Sequence, residues 1–163
     1  MVNSSPSTSV THTSSPTAPP GTAVSVGDVV NSATLERYLQ GRLATTGQVD
    51  AAFAAHACAR LGGGSEGDAF DVLTTELDDE YSARVPSPYL SQTSRRLGRQ
   101  LLRVATRIWT SPGIEAVSKT VGGPHQPIAL GTVVAAAGGD EGDAAALSFH
   151  HLTAAVTSAA VRL

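Results

Sequence analysis

Apolar side chains recur at helical spacing along most of the chain from about Val24 onward. Leu35, Tyr38, Leu39 and Leu43 share one face of a helix that Asn31 or Ser32 can cap. Gly41 weakens that helix, and Thr45-Thr46-Gly47 bends or ends it. Val49, Ala52, Phe53, His56 and Ala57 continue in register, with His56 read as a core histidine beside Phe53, until Gly62-Gly63-Gly64 breaks the run. A third helix runs from about Asp68 to Ala83 on the stripe Phe70, Leu73, Leu77 and Tyr81. Pro86 and Pro88 close it and open the next, because proline suits a first helical turn.

The fourth helix, about Pro88 to Trp109, is the clearest in the pattern. Leu90, Leu97, Leu101, Val104 and Ile108 are its expected buried face. Ser94 and Gly98 lie one turn apart and leave room for a neighbouring backbone. Ser111-Pro112-Gly113 ends this helix, and residues 113–126 read as irregular. Pro127 starts a fifth helix through Ala137. Asp143 caps a sixth that carries Phe149, Leu152, Val156, Ala160 and Leu163 to the last residue. No strand pair and no repeat competes with this pattern. The expectation is an all-α fold: a single helical bundle of about six helices with a disordered N-terminal tail.

Composition adds the tail. Residues 1–22 hold six Ser, five Thr and four Pro, and burial cannot offset their ordering entropy. The folded domain is therefore placed at 23–163. Of the 163 residues, 25 are alanine and seven are aromatic, so apolar burial per residue is modest and a partner can complete the core. A net charge of −3 gives no general attraction to nucleic acid or anionic lipid. Neither a secretory signal nor an apolar run of membrane-spanning length is present, and one cysteine, Cys58, cannot form an internal disulfide. A reducing cytoplasm is the simplest home.

Motifs for chemistry are missing. Gly62-Gly63-Gly64-Ser65-Glu66-Gly67-Asp68 lacks the Lys-Ser/Thr of a phosphate loop and precedes an acidic helix. His12, His56, His125, His150 and His151 form no chelating pair; adjacent helical positions diverge by about 100°. No nucleophile elbow occurs. Catalytic, cofactor-binding and metal-binding residues are accordingly all expected to be absent, and an enzyme of unrecognised type is the third-ranked reading.

Charge segregation is the positive signal. Seven of fourteen acids lie between Glu66 and Glu80. Arg95, Arg96, Arg99, Arg103 and Arg107 lie on the fourth helix, four of them spaced by four. The acidic and basic helices can pair with each other, or Arg95, Arg99, Arg103 and Arg107 can meet an acidic partner protein. A nucleic-acid-binding regulator using helix 88–109 is the alternative, although Val85-Pro86-Ser87-Pro88 makes a poor helix-turn-helix turn.

Val72-Leu-Thr-Thr-Glu-Leu-Asp78, Ser82-Ala-Arg84 and Pro86 through Leu102 follow one another in an order that resembles the urease accessory protein UreF family in its actinobacterial form. Ala52 through Ala57, His125 through Gly131 and Ala159 through Leu163 extend it from about Ala23 to Leu163. Asp78, Ser94, Gly98, Arg99, Gly131 and Arg162 are the positions that match the family signature. The resemblance implies an all-α, non-catalytic scaffold that dimerises and joins UreD (also called UreH) and the GTPase UreG on the urease apoprotein. Nickel is then handled by the complex, no cofactor is bound tightly by this chain, and neither nucleic acid nor membrane is a partner. The family's glycine-rich opening segment and its helices beyond Arg162-Leu163 have no counterpart here, so the chain is expected to be an incomplete or mis-framed product, truncated at the C-terminus.

Overall fold

A computed structural model describes residues 31–62 and 68–161. The expected tail at 1–22, the glycine run from Gly63 onward, and Arg162 and Leu163 lie outside the described residues. Seven α-helices are described: α1 (Ser32–Arg42), α2 (Gln48–Gly62), α3 (Asp68–Arg84), α4 (Pro88–Ala105), α5 (Pro112–Ser118), α6 (Gln126–Ala136) and α7 (Glu141–Val161). Among the described residues no strand occurs, so the all-α expectation holds.

Local chemistry explains the element ends. Asn31 caps α1 in a reciprocal box: its Oδ1 accepts from the Thr34 N–H at 2.9 Å, and the Thr34 hydroxyl accepts from the Asn31 N–H at 3.1 Å. The bend expected at Thr45-Thr46-Gly47 is a π-turn, Leu43–Gly47, that joins α1 to α2. Thr45 donates back to the Gly41 carbonyl at 2.8 Å, a bond that competes with regular winding. At α7 the cap is Asp140 and not Asp143. Asp140 Oδ1 accepts from the Asp143 N–H at 2.9 Å, and Asp143 Oδ2 accepts from the Asp140 N–H at 3.1 Å. The cap lies one turn earlier than the pattern placed it, because Asp143 serves as the box's third helical residue.

Helix α6 occupies the centre, packed against α2, α4, α5 and α7. Pro127 through Thr132 are buried on every side, as an all-round apolar helix requires. Gly131 lies against the α2 backbone at Ala54 and Cys58. Phe53, Leu61, Phe70, Leu77, Tyr81, Leu102, Ile114, Val117 and Ile128 form the main apolar cluster around it.

Three expectations are corrected. Residues 113–126 are not wholly irregular: α5 buries Ile114 and Val117 completely, but its single hydrophobic turn is too short to show a period. His56 is exposed; α2 turns Ala51, Phe53, Ala54, Ala57, Cys58 and Leu61 inward instead. On α4 the buried residues are Gly98, Leu102 and Ala105, while Leu97, Val104 and Ile108 are 45%, 56% and 61% exposed. The helix docks on its small residues because the Pro124–His125 backbone approaches Gly98 too closely for larger ones. The large apolar stripe is thereby rotated about 100° away.

Helix α7 is, among the described residues, the one helix long and apolar enough to cross a membrane by length and composition. It packs on α2 and the π-turn, and Val156 meets Tyr38 of α1.

Candidate functional site

Four of the signature residues, Asp78, Ser94, Gly98 and Arg99, converge where α3, α4 and the segment before α6 meet. Asp78 of α3 is 6% exposed, and Arg95 of α4 reaches it with both terminal nitrogens, at 2.6 and 3.2 Å. The same guanidinium donates to Ser82 Oγ at 3.1 Å and to the Gly123 carbonyl. A bidentate pair shielded from water gains more than a surface pair, and removing one partner strands the other.

Gly122 and Gly123 adopt positive φ, 76° and 83°, which suits glycine and turns their carbonyls toward α4. Arg99 donates to the Gly122 carbonyl. Ser94 Oγ then accepts from the Gln126 N–H at 3.0 Å, satisfying a donor at the start of α6. Gly98 admits the Pro124 carbonyl. Four of the six signature positions, Asp78, Ser94, Gly98 and Arg99, therefore pack one segment against two helices; Gly131 instead seats α6 on α2, and Arg162 lies outside the described residues.

His125 is fully buried, although no local sequence feature marks it as a core residue. Its Nε2 lies 3.0 Å from Ser82 Oγ, its N–H points to Asp78 Oδ1 at 3.4 Å, and Nδ1 is buried with no partner. The ring lies 4.6 Å from that of Tyr81, which meets Phe53 edge-on at 5.1 Å. Burial, then the Arg95 charge, hold His125 down to about 4, with Asp78 pulling the other way. Tyr81 donates to Asp50 Oδ1 at 2.6 Å. Burial, then the Asp50 carboxylate, push the Tyr81 phenol well above its ordinary value, and burial also raises Asp50 against its bond from Tyr81.

These shifts predict a pH dependence. The unfolded chain protonates His125 near 6.5, while the native chain resists until about 4. Stability present above pH 6.5 should therefore fall as pH drops toward 4, with a slope approaching ~1.4 kcal/mol per pH unit from this group. Urea unfolding between pH 7.5 and 4.5 measures it, and His125→Phe should remove most of the slope.

Burial favours the neutral form of His125, which is fully enclosed. Burial, then the acids Glu141, Asp140 and Asp143, raise the Cys58 thiol, which suppresses thiolate chemistry. Among the described residues no group of three or more His, Cys, Asp or Glu could hold a metal ion. An open groove of about 390 Å³ between α2 and α3 includes Phe53, His56, Glu80 and Arg84. Arg84 covers the Phe53 ring there and pairs with Glu80 at 2.8 Å.

The arginine stripe divides. Arg95 is turned inward, its side chain 20% exposed, so it belongs to the internal network and not to a partner surface. Arg96, Arg99, Arg103 and Arg107 are exposed. The acidic and basic helices do pair, but only through Arg95 and Asp78 among the described residues.

Comparison with known proteins gives one family. The UreF family model matches residues 29–163. A urease accessory protein UreF of Mycolicibacterium vanbaalenii is 38% identical over 131 residues, covering 80% of this chain and 56% of that protein. UreF of Mycobacterium sp. strain JLS is 34% identical over 138 residues, 84% of this chain and 59% of the relative. UreF of Mycobacterium tuberculosis H37Rv is 33% identical over 116 residues, 71% and 49%. The chain thus spans about half the length of the relatives it matches. No solved structure gives a significant match.

Proposed function

The chain belongs to the UreF family of urease accessory proteins, and on that premise we propose that it acts as a non-catalytic cytoplasmic scaffold in the maturation of urease. In this reading it joins UreD and the GTPase UreG on the urease apoprotein, as a dimer. Nickel is cargo of the assembly and is not a ligand of this chain.

The observation that carries the reading is how the polar residues are used. Asp78, Ser82, Arg95 and His125 bond to one another and fix the 122–126 segment, so these buried polar groups serve internal packing. Exposed positive charge is concentrated along α4 as Arg96, Arg99, Arg103 and Arg107, and exposed negative charge on α3 as Asp71, Glu76, Asp79 and Glu80. Buried functional groups with a charged outer face suit docking better than turnover.

Expression in a strain lacking its own UreF, together with UreD and UreG, tests this. Urease activity should rise above the level of the deletion strain, and the chain should co-purify with UreD. An unchanged activity combined with no co-purification defeats the scaffold reading.

A further inference from the structure

Helix α4 presents two features on its solvent side that the internal packing leaves unused. One is an apolar seam. Leu97, Val104 and Ile108 are 45%, 56% and 61% exposed, with half-buried Leu101 between them. Their spacing of four, three and four keeps them in line on a helical surface, and the winding continues past Ala105 through bonds from Arg107 and Ile108 to the Val104 and Ala105 carbonyls. The other is a one-sided basic flank. Arg96, Arg103 and Arg107 are exposed, and among the described residues none of them enters an ion pair. No acidic residue occurs anywhere from Pro88 to Thr110.

We propose that this face docks an acidic amphipathic helix of a partner protein, whose apolar stripe covers Leu97, Leu101, Val104 and Ile108 while its carboxylates meet Arg96, Arg103 and Arg107. The proposal rests on the scaffold reading above and adds the chemistry of the occupant. Seam spacing selects a helix, since knobs at these intervals fit the holes of another helix. Charge selects its sign: the flank is wholly cationic and has no internal counter-charge. A second copy of α4 brings only more arginine to the flank, so self-pairing leaves the cations unmatched. An anionic bilayer would satisfy the arginines. However, the opposite side of α4 is fixed against α6 and the 122–126 segment, leaving a seam one side chain wide for insertion.

A photo-reactive benzoylphenylalanine at Val104, in the chain co-expressed with UreD and UreG, tests the assignment. Crosslinks should map to one helical, Asp/Glu-rich segment of a partner, and the same probe at exposed Glu115 on α5 should not reach that segment. Arg103→Glu with Arg107→Glu should weaken the purified complex by at least about tenfold, more at low salt, whereas the paired Lys substitutions should retain most of the binding. Both side chains are exposed, so an unchanged melting temperature separates lost docking from lost folding. An intact complex with no crosslink from residue 104 overturns the proposal and spares the scaffold reading. So does a crosslink confined to a second copy, to an acid-poor segment, or to phosphatidylserine vesicles supplied in its place. If the unmodified chain forms no complex, the scaffold reading fails and this proposal fails with it.

Discussion

Gly131→Ala should destabilise the fold more than any other single methyl addition, and Gly131→Val should prevent folding. A Cβ at this position would fall inside van der Waals contact of the Ala54 carbonyl and within 2.9 Å of the Cys58 backbone nitrogen. Both obstacles are main chain of α2, so no rotamer change relieves them. The helices must separate, and α6 is the helix around which α2, α4, α5 and α7 pack. Overpacking of a core that can relax costs about 1–3 kcal/mol. Here relaxation means moving a central helix, so Gly131→Ala should cost about 3 kcal/mol or more, a large share of a domain's net stability of ~5–15 kcal/mol. Urea unfolding followed by circular dichroism measures the loss. Gly142→Ala is the control. Its added methyl meets only the Asp140 side chain at 3.1 Å, and the change should stay within ~1 kcal/mol. Equal effects at the two glycines would show that α6 and α2 are not in close contact.

Close approach was half legible in the amino-acid order. Ser94 and Gly98, one turn apart, announced a neighbouring backbone, and the Pro124–Gln126 segment lies there. The same glycine misled the reading of the helix face. Leu97, Val104 and Ile108 form the strongest apolar stripe in the chain, and a stripe of that kind ordinarily marks burial. Contact through Gly98 brought the neighbouring backbone so near that Leu102 and Ala105 became the inner residues, and the stripe was left outside. Periodicity reports that a face is apolar; it does not report which face a glycine contact selects. On α3, which has no such contact, the stripe Phe70, Leu73, Leu77 and Tyr81 does face inward, with Leu73 half-buried and the other three buried.

The site was less legible than the fold because its members are far apart in sequence. Asp78 and Arg95 stood out as one acid and one base in two segregated groups, yet nothing in either group singled out this pair. His125 gave no local sign of burial, and His56, beside Phe53, looked the better core histidine. What decided between them was tertiary: Gly122 and Gly123 turn the chain so that His125 enters between Tyr81 and Ser82. The family signature had more value here than any chemical motif. Asp78, Ser94, Gly98 and Arg99 proved to be contacts of the 122–126 segment, and Gly131 the contact between α6 and α2.

Asp78→Ala should follow Gly131 as the most damaging change. It leaves the Arg95 guanidinium, with its side chain only 20% exposed, opposite no carboxylate, and it removes the acceptor of the His125 N–H. Breaking a buried pair on one side costs about 3–5 kcal/mol, because the remaining charge keeps its desolvation penalty without its partner. Arg95→Met should cost a similar amount, because it strands the more deeply buried Asp78 carboxylate with only its backbone bond from His125, and the Gly123 carbonyl loses its donor. The double variant Asp78→Ala, Arg95→Met should then be more stable than Asp78→Ala alone, with a coupling of about 1–3 kcal/mol in a double-mutant cycle. The His125 titration supplies a second readout. Asp78 favours the charged imidazole and Arg95 opposes it, so Asp78→Ala should push the His125 pKa lower still and Arg95→Met should raise it. Proton NMR of the His125 ring distinguishes the two directions. A purely steric role for Asp78 would leave that titration unmoved, whereas an electrostatic one moves it in opposite senses in the two variants. Since the same pair anchors the turn that Arg99 also grips, Asp78→Ala should additionally loosen the 122–126 segment against α4. Helix α4 would then lose the support that orients its exposed seam, so a defect in partner docking should accompany the loss of stability even at temperatures where the variant remains folded.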